Sequence, residues 1–330
     1  MTTHILKATP DTVHLGGFSP DLRPVLRVES GDRIDIETFT GYSFALDAPA
    51  AFAPPELVAI RHHLPEAQKV GIGPHLLTGP IAIAGAEPGD VVAIHLDAIQ
   101  PRLPMGFNVI RPGMGALPYA FSEFSLRFLE LDLECMEAEF PPQSGIKVPL
   151  RPFFGILAVA PTESCSSIPP GIFGGNLDNR HLQAGSTLYL PVQVPEALVS
   201  IGDGHSAQGD GEVNVTAIET AMNGTVRLTL HKATTLPQPL RQPFAETPHH
   251  WMAMGFDYSL DGALHKALER MLQFLQDYLG LSPEEAYVLC SIGINFNITQ
   301  VVNTPLKGVH GLLPKAILPQ PIAFLGDRHG

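Results

Sequence analysis

Cysteine is scarce in this chain of 330 residues. The three, at positions 135, 165 and 290, are odd in number and far apart. They carry no disulfide framework and suit a reducing compartment with free thiols, so the expected location is the cytoplasm. None lies in a Gly-rich loop or beside a histidine, which leaves no activated thiol nucleophile. Basic residues are also few: 20 Lys and Arg stand against 33 Asp and Glu, for a formal charge of −13. That balance excludes nucleic acid as a partner, because phosphate binding needs clustered cations. No run of about 18 apolar residues is present, so no helical membrane span is expected. The N-terminal stretch MTTHILKATPDTVHLGG has no basic start followed by an apolar run and does not read as a secretory signal. Also missing are a phosphate-binding glycine loop opening a helix, a Gly-x-Ser-x-Gly elbow, and the helices that a doubly wound parallel sheet needs between its strands.

What is abundant is glycine and proline, 31 and 32 residues, together about 19% where roughly 12% is usual. In a chain that is 45% hydrophobic, such an excess means many turns and many short strands. Residues 24–38 alternate around Ser-Gly-Asp as two tightly joined strands, and residues 80–102 read as a hairpin around Ala-Glu-Pro-Gly-Asp. A short helix follows Pro54-Pro55 and ends near Pro65. Strands are expected at 127–135, 153–160, 187–201, 213–232 and in NFNITQVVN, with Asn223-Gly224 as a hairpin turn. Residues 259–279 carry an apolar stripe of period 3.6 between an N-cap at Ser259 and a C-terminal Gly280, and a second helix starts at Ser282-Pro283. The reading is mainly β with two late helices. The proline-dense stretch 139–172 sets the boundary between an N-terminal β-rich part, 1–150, and a C-terminal part, 151–330, that holds both helices.

The densest polar cluster is Gly-Asp-Gly-His-Ser-Ala-Gln-Gly-Asp-Gly-Glu at 202–212, expected as a loop held between two apolar strands. Carboxylate with imidazole is zinc-ligand chemistry, and carboxylates with carbonyls suit calcium. The alternative is an acidic hairpin loop whose Asp residues cap turns. Asn176 and Asp178, two apart in FGGNLD, point to one face of an extended segment and can join Asp203 and His205 around a metal or orient an amide; otherwise they form an Asx-turn. His75 sits on a loop made rigid by Pro74 and Pro80, as a ligand, a donor to a substrate carbonyl, or a buried structural histidine. Glu219 shares its expected strand face with Val213, Val215 and Ala217. An acid there is costly unless it is paired or at a site, which makes it a candidate general base, unless it lies at the strand end in water.

These clusters, in this order, resemble the acetamidase/formamidase family. The stretches that carry the resemblance include VHLGGF (13–18), GPHLLTGPIAIAGAEPGDVVAI (73–94), PFFGILAVAP (152–161), GGNLD (174–178), AGSTLYLPVQVP (184–195), SIGDGHSAQGDGEV (200–213), TAIET (216–220) and ITQVVN with KGVHGLLPK (298–303 and 307–315). The resemblance implies a hydrolase that turns small linear amides into carboxylate and ammonia. It implies a jelly-roll-like β-sandwich with a small β-barrel and a small α+β part, assembled as a homodimer or larger homo-oligomer, and a divalent metal, zinc or calcium. Asp203, His205 and Asp178 are the expected metal ligands, and Glu212, Glu219, His75 and Asn176 the expected catalytic groups. Residues 39–53 lie outside the matching motifs and are expected to line the pocket and alter substrate choice. The competing readings are a non-catalytic sandwich that binds a small ligand or calcium through the same acidic loop, and a hydrolase of a different amide or a carbamate.

Overall fold

The computed structural model describes residues 1–326. Two nine-stranded sheets form the body of the protein. The first runs, in spatial order, through Thr3–Leu6, Arg33–Thr38, Met222–His231, Val91–Pro101, Thr187–Pro191, Phe244–Glu246, His250–Asp257, Lys307–Pro314 and Asn295–Gln300. The second has the path Gly174–Asn176, Phe153–Ala158, Val199–Ala207, Ile218–Glu219, Met105–Ile110 and Ser125–Glu130. Leu76–Ile83 joins it beside Val199–Ala207 and pairs in turn with Val13–Leu15 and Leu26–Val28. The fold is mainly β, as the composition predicts.

Alternation decides how the sheets meet. In Arg33–Thr38 every second residue is buried, and Ile34 and Ile36 point inward with Val92, Ile94, Leu188, Leu190, Val226 and Leu228. They pack against Ile81, Ile83, Phe154, Leu157, Val199 and Ile201 of the second sheet in one shared core, the arrangement expected when two sheets stack apolar face to apolar face. The opposite face of the first sheet offers Val91, Ala93, Tyr189, Trp251 and Leu313 to Met271, Phe274, Leu275 and Cys290 of the two late helices. These helices are α2, Leu260–Leu279, and α3, Pro283–Gly293, and the short helix expected after Pro54 is α1, Pro55–His63. Helix α2 starts at Ser259, whose hydroxyl accepts from the Gly262 amide, and ends at a left-handed Gly280. Helix α3 opens with a capping box between Ser282 and Glu285. Among the described residues no helix is long and apolar enough to cross a membrane.

Local turn chemistry misleads in three places. Asn223-Gly224 is no turn: it lies within the continuous strand Met222–His231, with Asn223 opposite Glu37 on one side and Gln100 on the other. Gly224 is needed there because a side chain would meet the Phe154 ring, 2.7 Å from a Cβ. The pairs at 24–38 and 80–102 contain the expected strands, but the strands do not pair with each other. Leu26–Val28 and Leu76–Ile83 belong to the second sheet, Arg33–Thr38 and Val91–Pro101 to the first. The connections are corners between layers, and a two-residue turn signal does not distinguish a corner from a hairpin.

The fold also buries a histidine as a neutral ring. His14 is 1% exposed and its Nε2 lies 2.9 Å from the Ser200 hydroxyl. Burial pushes its pKa down to about 4. The unfolded chain takes up this proton near pH 6.5, whereas the folded chain does so only near 4. Stability is therefore lost as pH falls through that window, by about 3 kcal/mol from this residue. Urea unfolding midpoints should fall between pH 7.5 and 4.5, and the difference should shrink in His14→Gln; an unchanged difference would overturn this assignment.

Candidate active site

The cluster at 202–212 is only partly a loop. Gly202 to Ala207 belong to the buried strand Val199–Ala207, and only residues 208–217 turn away from it before Ile218–Glu219. The alternation Gly-Asp-Gly-His is thus a strand pattern with two faces. On one face a Cβ at Gly202 would lie 2.6 Å from the Leu76 carbonyl oxygen, and one at Gly204 would lie 2.5 Å from that of Thr220. On the other face stand Asp203 and His205. The register places Glu219 directly across from His205. Val213 and Val215 share no strand with Glu219, which nevertheless is 4% exposed. The alternative of a solvated strand end is thereby overturned.

His205 is the centre of the constellation. Gln208 Nε2 donates to the Asp178 carbonyl oxygen at 2.8 Å, so the other end of that amide, Oε1, faces His205 Nδ1 at 2.8 Å. An oxygen there requires Nδ1 to carry a hydrogen. Nε2 then turns to Glu219 Oε1 at 3.1 Å and Asp203 Oδ2 at 3.4 Å. A lone pair facing two carboxylates is repelled, so Nε2 must bear a proton or a metal ion. The ion-free protein holds the proton: burial opposes it, but Glu219 and Asp203 overcome that and raise the His205 pKa well above its ordinary value.

Four buried acids surround this ring. Asp178 Oδ1 is 3.8 Å from His205 Nδ1, and Asp178 Oδ2 accepts from Asn303 Nδ2 at 2.5 Å. Burial pushes the Asp178 carboxyl up to about 6. At Asp203 burial works in the same direction, but the imidazoles of His75 and His205 prevail and hold it low. Glu212 and Glu219 are both raised, first by burial; at Glu212 the charge of Asp178 adds to it, and at Glu219 burial outweighs the opposing pull of His205, with Asp203 adding a smaller push upward. Glu219 Oε1 accepts the Ala217 amide at 3.1 Å and Oε2 the Thr40 hydroxyl at 3.5 Å. Asp178 Oδ1 and Glu212 Oε2 are buried without a hydrogen bond. Ligand atoms of Asp178, Asp203 and His205 lie within 4.8 Å of one another, and so do those of His205, Glu212 and Glu219. Orphaned buried oxygens and a ring nitrogen in such proximity fit a divalent cation.

The remaining candidates converge on the same cavity, of about 280 Å³, which Asp178, Asp203, Glu212 and Glu219 also line. His75 Nδ1 is 2.8 Å from the Ser167 hydroxyl, and its Nε2 is 3.9 Å from Asp203 Oδ2. Asn176 donates to the Ile168 carbonyl at 3.1 Å, which leaves its buried Oδ1 without a partner.

Three participants escape a reading by residue type. Gln208 fixes the histidine ring. Asn303 donates to the Asn176 carbonyl and the Asp178 carboxylate, and only its place in ITQVVN signalled it. Gly155 lies on the neighbouring strand Phe153–Ala158, where a Cβ would come within 2.5 Å of Asp178 Oδ1 and 2.7 Å of Asp203 Oδ2. Gly155→Ala should therefore displace at least one carboxylate, lowering kcat about 10²-fold at a stability cost of about 1–3 kcal/mol. A variant with wild-type kcat would show that the two carboxylates need not approach so closely.

Comparison with known proteins agrees with this architecture. A formamidase from Methylophilus methylotrophus is 26% identical over 300 residues, covering 70% of this chain and 74% of that protein. A putative formamidase from Schizosaccharomyces pombe is 25% identical over 310 residues, with the same coverage of 70% and 74%. The crystal structure of an acetamidase from Yersinia enterocolitica superposes with a TM-score of 0.81 at 28% identity, over 96% of this chain and 93% of that one. The model of the Acetamidase/Formamidase family matches residues 7–167 and 162–320, nearly the whole chain, and the protein therefore belongs to that family of amidases.

Proposed function

We propose that this chain hydrolyses small linear amides, of the formamide and acetamide kind, to a carboxylate and ammonia. The observation that carries the reading is the imidazole Nε2 of His205 turned towards buried carboxylates at the wall of a cavity. Asp178, Asp203 and His205 would hold a divalent ion, zinc in this reading, with calcium the alternative. Such an ion supplies Lewis acidity and lowers the pKa of water to about 7. Gln208 keeps Nδ1 protonated, so that Nε2 is the ligating atom. Water adds to the amide carbon. Glu212, whose Oε2 has no partner and whose burial strengthens its hold on a proton, would act in its ionised form, taking the proton from water and returning it to the nitrogen, since amide anion is too basic to leave. Glu219 faces the same nitrogen, Nε2, and is the carboxylate that steadies the protonated imidazole when no ion is bound. His75 and Asn176 are the groups nearest to serve the oxyanion. The balance is one amide and one water to one carboxylate and one ammonium. The same reading includes a homodimeric or larger assembly and a cytoplasmic location.

The test is ammonia release from an amide panel by purified protein, with metal analysis of the same sample. Chelation should remove the activity and one metal per chain, and zinc should restore it. Full turnover in exhaustively chelated, metal-free protein would overturn the metal part of the reading. No ammonia from any amide, with ion binding intact, would favour the non-catalytic alternative.

A further inference from the structure

The cavity at the site is larger and more aromatic than formamide or acetamide requires. It measures about 280 Å³, close to the roughly 300 Å³ at which drug-sized ligands begin to be held, whereas acetamide is little larger than a few waters at about 30 Å³ each. Beyond the polar cluster its wall is made by Tyr42, Phe44, Phe107, Ile72, Met114 and Arg111. Tyr42 and Phe44 come from the stretch that lies outside the family's matching motifs, and their placement is built in. Phe39 is buried under the Arg102 guanidinium, 4.5 Å from its ring centroid. The next residue, Thr40, bonds Glu219. Gly41 then adopts φ 67° in a space where a Cβ would lie 2.6 Å from the Phe52 ring and 2.9 Å from that of Phe107. This close approach brings the turn Tyr42–Phe44 against Phe107, with Phe44 and Phe107 edge to face at 5.0 Å. Arg111 completes the wall, its Nε buried without a hydrogen-bond partner among the described residues.

Resting on the amidase reading, we infer that the substrate of this site is a primary amide whose acyl part carries an aromatic ring. The amide group sits at the polar cluster, and the ring fills the space among Tyr42, Phe44 and Phe107. Aromatic edges and faces complement a ring better than an alkyl chain does, and the Arg111 guanidinium adds attraction for a π face over a saturated group. Acetamide, with a single methyl group, covers only a small part of an apolar wall of this size.

The experiment compares acetamide, hexanamide and phenylacetamide by ammonia release, together with calorimetric binding of acetate and phenylacetate. Phenylacetamide should exceed acetamide in kcat/KM by at least tenfold and hexanamide by several-fold, and phenylacetate should bind at least tenfold more tightly than acetate. Phe44→Ala should reduce the ratio of phenylacetamide to acetamide kcat/KM about tenfold, and Met114→Ala, at an exposed wall position, should reduce it in the same direction. Acetamide turned over as well as phenylacetamide, or equal losses on both substrates in the variants, would overturn the inference and leave the amidase reading standing. Hexanamide equal to phenylacetamide would overturn its aromatic part. If no amide is hydrolysed the amidase reading fails, while the binding comparison still decides whether the pocket prefers an arene.

Discussion

Replacing His205 by alanine is expected to lower kcat for amide hydrolysis by on the order of 10⁴-fold or more, the scale seen when one member of a unit that acts together is removed. The imidazole is the member of both groups of potential ligands that is not an acid, and it stands within 4 Å of Asp178, Asp203 and Glu219. Without it Gln208 loses the group it orients, and Asp203 loses one of the two imidazoles that hold it ionised. Metal content measured on the same preparation should fall together with activity. Removing one partner of a buried ion pair costs about 3–5 kcal/mol, so the alanine variant should also melt lower. His205→Asn, which restores a neutral polar group, should recover part of the stability and none of the turnover. Near-normal kcat in either variant would remove His205 from the mechanism.

The prominence of His205 in the sequence came from its company, five polar side chains among glycines, and that much is legible because side-chain chemistry is local. The secondary structure around it is not. Glycine at 202 and 204 reads as loop composition, yet here it serves a packed strand whose opposite face has no room for a Cβ. The same holds for Gly224, read as a turn and found against Phe154. A glycine required by a close neighbour and a glycine required by a positive φ look alike until the neighbour is known. Periodic signals did better: the α2 stripe, its Ser259 cap and its Gly280 end match the structure, because amphipathic period and capping depend only on residues a turn apart. Asn303 illustrates the opposite limit. It is 125 residues from Asp178 in sequence, and nothing in its own neighbourhood states that it will hold a carboxylate.

Glu212→Gln is expected to lower kcat by about 10²–10⁴-fold, the contribution of a positioned proton-transfer group, while KM changes little. The side chains are nearly isosteric, so the variant removes proton acceptance and charge and leaves shape in place. Its effect on stability should have the opposite sign. Burial, then the charge of Asp178, favours the protonated form of Glu212, so the folded pKa lies above that of the unfolded chain. Such an acid costs stability as pH rises from the unfolded value through the folded one. In the metal-free protein an uncharged amide at this position escapes that cost, so Glu212→Gln should unfold at a higher temperature than wild type at pH 7.5 and at about the same temperature at pH 4. A side chain that serves only to hold the loop would lose stability and activity together. Higher stability with lost turnover would identify a residue kept in an unfavourable place for the chemistry it performs, and wild-type kcat in Glu212→Gln would pass the role of proton acceptor to Glu219.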